Sequence, residues 1–162
     1  MSSIVPSCSS ARKRVIRYYD TSALYALWVP QPFTERAKEE LKRDFGQVVI
    51  SRFAVLEFKS ALLKDVRLAA LERGKAAVVW SRFYETVQAA RYRVLPVSSA
   101  YLERAADLLD IQLEPPPSLR APDALHVGTA VAFGRIGFVT ANAQQARAAR
   151  EAGLRTAYLG VG

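Results

Sequence analysis

A chain of 162 residues, 51% hydrophobic and 23% charged, is long enough to bury one compact core and too apolar to be disordered throughout. Its net charge of +8 favours a polyanionic partner, nucleic acid first, and no continuous apolar run is long enough to cross a bilayer. Cys8 is the single cysteine, which excludes an intrachain disulfide and a cysteine-rich zinc site and fits a reducing, cytoplasmic setting.

Residues 1–14 are serine-rich and end in Arg12-Lys13-Arg14 with no apolar region of a secretory signal. They are expected to be a disordered basic tail, a phosphate-contacting arm being the alternative, ahead of one domain over 15–162. Val15 to Tyr19 reads as a strand that stops at Asp20, just before Thr21-Ser22-Ala23-Leu24. Phe33, Ala37, Leu41 and Phe45 recur every four residues, a helical stripe on which Glu39 precedes Arg43 as a weak ion pair. Gln47 to Ile50 is the second strand, and Glu57 follows inside the apolar run Phe53-Ala54-Val55-Leu56-Glu57-Phe58. Ala76, Val79, Trp80, Phe83, Val87 and Ala90 form another helical stripe, read as core or a dimer face. Val94 to Val97 is the third strand and Tyr101 to Asp110 a helix, ended by Glu114-Pro115-Pro116-Pro117, which cannot continue it. Asp123 lies in Arg120-Ala121-Pro122-Asp123-Ala124-Leu125-His126. Gly137 to Thr140 and Thr156 to Leu159 complete five strands, with Asn142 just after the fourth.

This alternation predicts a three-layer α/β/α fold, a central parallel sheet of about five strands with helices on both faces. In such sheets ligands gather beyond the carboxyl ends of the strands, where strand order reverses. Asp20 and Asn142 fall at that edge.

Each polar station has a plain structural reading. Asp20, Thr21 and Ser22 suit a helix N-cap. Pro122 suits the first helical position, which sets Asp123 in the first turn against the positive dipole end. Asn142 with Gln145 three residues later resembles a capping box. Singly, Asp123 and Asn142 read better as caps than as catalysts, and Asp20 reads either way. Glu57 differs, because its axial row is largely apolar and Lys64 is two turns away. A carboxylate so placed must be paired, hydrated or metal-bound. Together the four stations point to a Mg²⁺ or Mn²⁺ site, hard oxygen ligands completed by water and phosphate, on a basic chain that grips nucleic acid.

At these residues the chain resembles a known family, the PIN-domain ribonucleases, and among them VapC-type toxins of bacterial toxin–antitoxin pairs. Tyr19-Asp20-Thr21-Ser22-Ala23-Leu24 is similar to the first acidic motif, and Leu56-Glu57-Phe58 with Ala61-Leu62 to the glutamate-bearing helix. Leu119-Arg120-Ala121-Pro122-Asp123-Ala124-Leu125-His126 is the most specific match; Val139-Thr140-Ala141-Asn142 resembles the last motif. The resemblance implies Mg²⁺-dependent RNA cleavage, with Mn²⁺ as an alternative ion, a small cognate antitoxin and homodimerisation. It implies metal ligation by Asp20, Glu57 and Asp123, and a hydrogen-bond network holding Thr140 and Ser22, with Asn142 as a further site residue. Arg120 would order the acids or approach phosphate, or else stay a surface arginine.

The departure is Asn142, where the family usually carries aspartate. An amide oxygen brings no formal charge, so weaker binding of a second metal is expected. His126, the single histidine, reads first as a helix residue satisfied by a hydrogen bond and second as a proton shuttle. Arg67, Arg73, Lys75, Arg82, Arg91 and Arg93 mid-chain, and Arg147, Arg150 and Arg155 near the end, read mostly as solvated faces, with a subset expected at the acidic cleft. The rival function is a catalytically impaired PIN-like module that binds RNA or protein. A phosphohydrolase is less attractive, since Asp20 lacks a second aspartate two residues later.

Overall fold

The computed structural model describes residues 16–43, 47–111 and 119–161. They form β1 (Arg17–Tyr19), α1 (Thr21–Ala26), α2 (Thr34–Arg43), β2 (Val49–Ser51), α3 (Arg52–Arg67), α4 (Arg73–Gln88), β3 (Arg93–Leu95), α5 (Ser99–Ile111), α6 (Ala121–Ala132), β4 (Gly137–Thr140), α7 (Ala143–Glu151) and β5 (Thr156–Tyr158). The expected tail over 1–14, Phe45 of the first helical stripe and the proline connector at 114–117 lie outside the described residues.

All four strand pairings are parallel, in the order β3-β2-β1-β4-β5. The chain therefore builds outward from β1 to β3, then crosses back to add β4 and β5 on the other side. Strand order reverses between β1 and β4, and the crevice beyond their carboxyl ends is the natural ligand position. The strands are short, and β2 and β4 are buried along their whole length, as a parallel sheet covered by helices on each side requires.

Alternate side chains along the strands divide the core in two. Tyr19, Ile50 and Val139 pack with residues of α1, α3 and α4 on one face. Tyr18, Val49, Leu95 and Phe138 pack with α5, α6 and α7 on the other. The expected three-layer α/β/α arrangement is what forms. In the first layer Phe83 stacks on Phe58 with centroids 3.9 Å apart and meets Trp28 edge-on, so the α4 stripe faces the core. Ala90, read as the end of that stripe, lies past the helix with φ of 53°. Arg43 pairs with Glu40 at 2.6 Å, not with Glu39 as the four-residue spacing suggested; the acid three positions back is the one its side chain reaches. No helix among the described residues is long and apolar enough to cross a membrane.

The helix that matters most for the site is α6. From Ala124 to Val131 it is buried without a break, and it packs closely on α5 because residue 128 has no side chain. A Cβ placed on Gly128 would lie 2.8 Å from the Ala105 backbone nitrogen. Gly128→Ala is therefore expected to push α6 off α5 and cost about 1–3 kcal/mol of stability. Urea unfolding followed by circular dichroism measures that loss; an unchanged midpoint would mean the helices part freely.

Candidate active site

Asp20 is built where β1 ends. Its backbone is still extended (φ −71°, ψ 174°), and its side chain turns to cap α1, Oδ1 accepting from the Ala23 N–H at 2.9 Å. Ser22 Oγ donates to both carboxylate oxygens at 2.8 and 2.9 Å, and Thr140 Oγ1 donates to Oδ2 at 2.9 Å. Thr140 in turn accepts from the Asn142 N–H at 2.9 Å, and the Ala141 N–H donates to Ser22 Oγ at 2.8 Å. Asp20 is only 1% exposed, and burial pushes its carboxyl above the usual aspartate range against the opposing pull of His126 and these donors. A cation beside such a carboxyl would favour its ionised form.

Glu57 projects from α3, half-buried. Its Oε2 meets His126 Nε2 at 2.5 Å and accepts from Thr21 Oγ1. His126 is fully enclosed; its other ring nitrogen, Nδ1, lies 2.7 Å from the Tyr18 hydroxyl, which donates to Ser51 Oγ at 2.9 Å. Ser51 caps α3 by accepting from the Ala54 N–H at 3.1 Å. Burial pulls the Glu57 carboxyl upward, but the hydrogen bond and charge of His126, with Thr21, outweigh it and hold the group below the usual glutamate range. Oε1 has no hydrogen-bond partner among the described residues.

Asp123 stands in the first turn of α6. Its Oδ1 accepts from Gln145 Nε2 at 2.7 Å and from Asn142 Nδ2 at 3.3 Å. Asn142 caps α7 as expected, its Oδ1 accepting from the N–H groups of Gln144 (2.9 Å) and Gln145 (3.2 Å). The reciprocal half of a capping box does not form, because the Gln145 amide turns to Asp123 and the Asn142 N–H turns to Thr140. Gln145 is thus a site residue that the sequence disguised as a helix cap. Its Oε1 is buried without a partner, a deficit of about 1–3 kcal/mol for an amide carbonyl.

Asp20, Glu57, Asp123, His126, Asn142 and Gln145 line one cavity of about 320 Å³, with Ser22 at its wall and Thr140 buried behind Asp20. Glu57, Asp123 and Asn142 also border an adjoining cleft of about 440 Å³ together with Arg120, Pro122 and Gln144. Of the mid-chain cations, Arg67 and Arg73 line a separate pocket with Lys59 between α3 and α4. Among the described residues no three His, Cys, Asp or Glu side chains converge as a ready-made metal cage. What the cavity offers is a pair of hard acceptors, one oxygen of Glu57 and one of Asp123 being uncommitted. Such a donor set fits a hard divalent cation that keeps most of its own water.

The PIN domain family model matches residues 17–151, most of the chain. The protein belongs to the PIN domain family. Solved structures share the fold of this PIN domain at low identity. FitAcB from Neisseria gonorrhoeae is 18% identical, covers 87% of this chain and 96% of its own, and superposes with a TM-score of 0.62. VapBC2 from Rickettsia felis, bound to a DNA fragment from its promoter, is 16% identical over 88% of this chain and 98% of its own, with a TM-score of 0.62. A toxin–antitoxin complex from Klebsiella pneumoniae is 19% identical over 80% and 88%, with a TM-score of 0.56. No curated protein matches significantly. At these identities the likeness is one of fold.

The lowered Glu57 pKa has a definite sign. The native state holds this proton less tightly than the unfolded chain, so the associated stability is present above the ordinary value of 4.5 and is lost as pH falls through the native value. In metal-free buffer, Glu57→Gln should flatten that part of the stability curve, read by urea unfolding from about pH 6 down to about pH 3. A variant whose acid limb matches the wild type would show that Glu57 is not held in this way.

Proposed function

We propose that this PIN domain is a metal-dependent endoribonuclease and the toxin of a type II toxin–antitoxin pair. One observation carries the reading: carboxylates from three separate segments, Asp20 after β1, Glu57 on α3 and Asp123 on α6, line a single cavity at the carboxyl edge of the sheet. The chain around them carries a net charge of +8, as a protein gripping a polyanion requires.

Glu57 and Asp123 are the residues to hold Mg²⁺, or Mn²⁺ in its place, with Asp20 as the acidic wall behind them. When bound, such an ion activates water as a nucleophile and stabilises charge on the scissile phosphate. The chain's own groups do the rest. Ser22, Thr140 and the Ala23 N–H orient the buried Asp20 carboxyl and offset part of the cost of its ionised form. Arg120, exposed at the rim beside Glu57 and Asp123, is placed to meet a flanking phosphate. Hydrolysis adds the elements of one water across the P–O bond and leaves a phosphate end and a hydroxyl end. The proposed setting is cytoplasmic, with a small antitoxin partner and homodimerisation. The toxin–antitoxin assemblies among the structures of like fold support the antitoxin partner.

A second reading has an observation of its own. The Asn142 amide, where the family usually has a carboxylate, donates to Asp123, so a neutral group takes up charge that a metal would otherwise neutralise. An impaired PIN module that holds RNA or protein without cutting would look like this.

A labelled RNA pool incubated with purified protein separates the two. Cleavage is expected with Mg²⁺ or Mn²⁺ and is expected to stop with EDTA, and Asp20→Asn or Asp123→Asn should fall to the EDTA blank while remaining folded. Cleavage by the folded double variant at the wild-type rate would defeat the nuclease assignment, and RNA binding indifferent to EDTA without cleavage would favour the module. Asn142→Asp should tighten Mg²⁺ binding in a calorimetric titration; unchanged affinity and stoichiometry would reject a role for the missing charge.

A further inference from the structure

His126 and Gln145 are buried polar residues that touch the two rim acids, and the chemistry proposed above uses neither. Their contacts share one pattern. At Glu57 both donors, His126 Nε2 and Thr21 Oγ1, address Oε2. At Asp123 both donors, the amides of Gln145 and Asn142, address Oδ1. Each carboxylate is thereby pinned through one oxygen, and the other has no hydrogen-bond partner among the described residues.

The pinning groups are themselves immobilised. His126 is gripped from its far side by the Tyr18 hydroxyl, which Ser51 anchors to the start of α3, and its ring packs against those of Tyr18 and Phe53 at centroid distances of 5.7 and 5.4 Å. Gln145 has only one useful orientation, since only its Nε2 can face a carboxylate; it keeps that orientation although its own carbonyl then goes unpaired. A long glutamate side chain left to itself would lose much rotamer freedom on binding a cation. Here that freedom is already gone.

We propose that His126 and Gln145 are positioning residues that hold Glu57 and Asp123 so that each offers a single oxygen to a hydrated divalent cation. The inference rests on the metal-nuclease reading and adds how the ligands are set. Two single oxygens with the remaining positions left to water suit octahedral Mg²⁺ or Mn²⁺, whereas Ca²⁺ takes carboxylates two oxygens at a time and more ligands in all. The arrangement therefore selects against Ca²⁺.

The test is a titration of RNA-free protein with Mn²⁺, followed by electron paramagnetic resonance, with Ca²⁺ as competitor. His126→Leu and Gln145→Met should each weaken Mn²⁺ binding by about 10–100-fold, the usual range for partners behind a metal ligand, while His126→Gln, which keeps an N–H for Glu57, should recover most of it. The Mn²⁺ preference over Ca²⁺ should narrow in the weakened variants. RNA cleavage by them should regain the wild-type kcat at saturating Mn²⁺, so that only the metal requirement shifts. Should His126→Leu fail to fold by circular dichroism, Gln145→Met and Tyr18→Phe carry the test, the latter with a smaller loss. Folded variants binding Mn²⁺ within about twofold of wild type, well inside the range above, overturn the proposal. A kcat loss that saturating Mn²⁺ does not repair also overturns it, in favour of direct proton transfer by His126. Wild-type protein that binds neither Mn²⁺ nor Mg²⁺ sinks the metal-nuclease reading itself, a different result from these.

Discussion

A buried carboxylate stitched between the two central strands is the constraint on which the molecule turns. Asp20 accepts from the first turn of α1, from Ser22 and from Thr140, while its own N–H donates to the Val139 carbonyl at 3.1 Å. These bonds fasten the end of β1 to the end of β4 at the point where strand order reverses. A carboxylate taken out of water needs such company, since alone it would be expelled or protonated. The same company leaves the acid at the back of a cavity, difficult to reach by anything except a small cation. Local stability and the capacity to bind thus come from one set of contacts.

Capping and ligation are therefore not competing explanations for these residues. Asp20 caps α1 and lines the cavity, and Asn142 caps α7 and touches Asp123. A helix beginning at the carboxyl end of a parallel strand needs an acceptor for its first N–H groups, and that edge is where ligands collect. Weighing the cap against the catalyst, as the sequence invites, sets apart two duties that a single side chain performs together. The burial of Asp20 is what converts the first duty into the second.

Most of the fold was legible because parallel strands buried on both faces leave short, continuous apolar runs, and all five were located to within two residues at each end. The α4 stripe was legible as apolar but not as to its partner, which depends on Phe58 and Trp28 arriving from distant segments. At the site, Asp20, Glu57, Asp123 and Asn142 stood out because each interrupts an apolar stretch. The grip of His126 on Glu57 did not, since it joins residues 69 apart and depends on the ring turning toward α3. Gln145 was hidden for a different reason. Its spacing from Asn142 fits a local motif, and only the third dimension shows that the amide has gone to Asp123 instead.

The two sides of the cavity differ in what they can yield. Asp123 and His126 both rise from α6, which is enclosed from Ala124 to Val131 and pressed against α5 at Gly128, so that side is a fixed jaw. Glu57 stands on α3, whose outer surface leaves Leu56 and Leu63 in water at 66% and 46% exposure, so α3 meets fewer neighbours there. The bond between Glu57 and His126 ties the two helices together across the cavity, so the spacing of its walls is set by a side-chain contact as well as by the core.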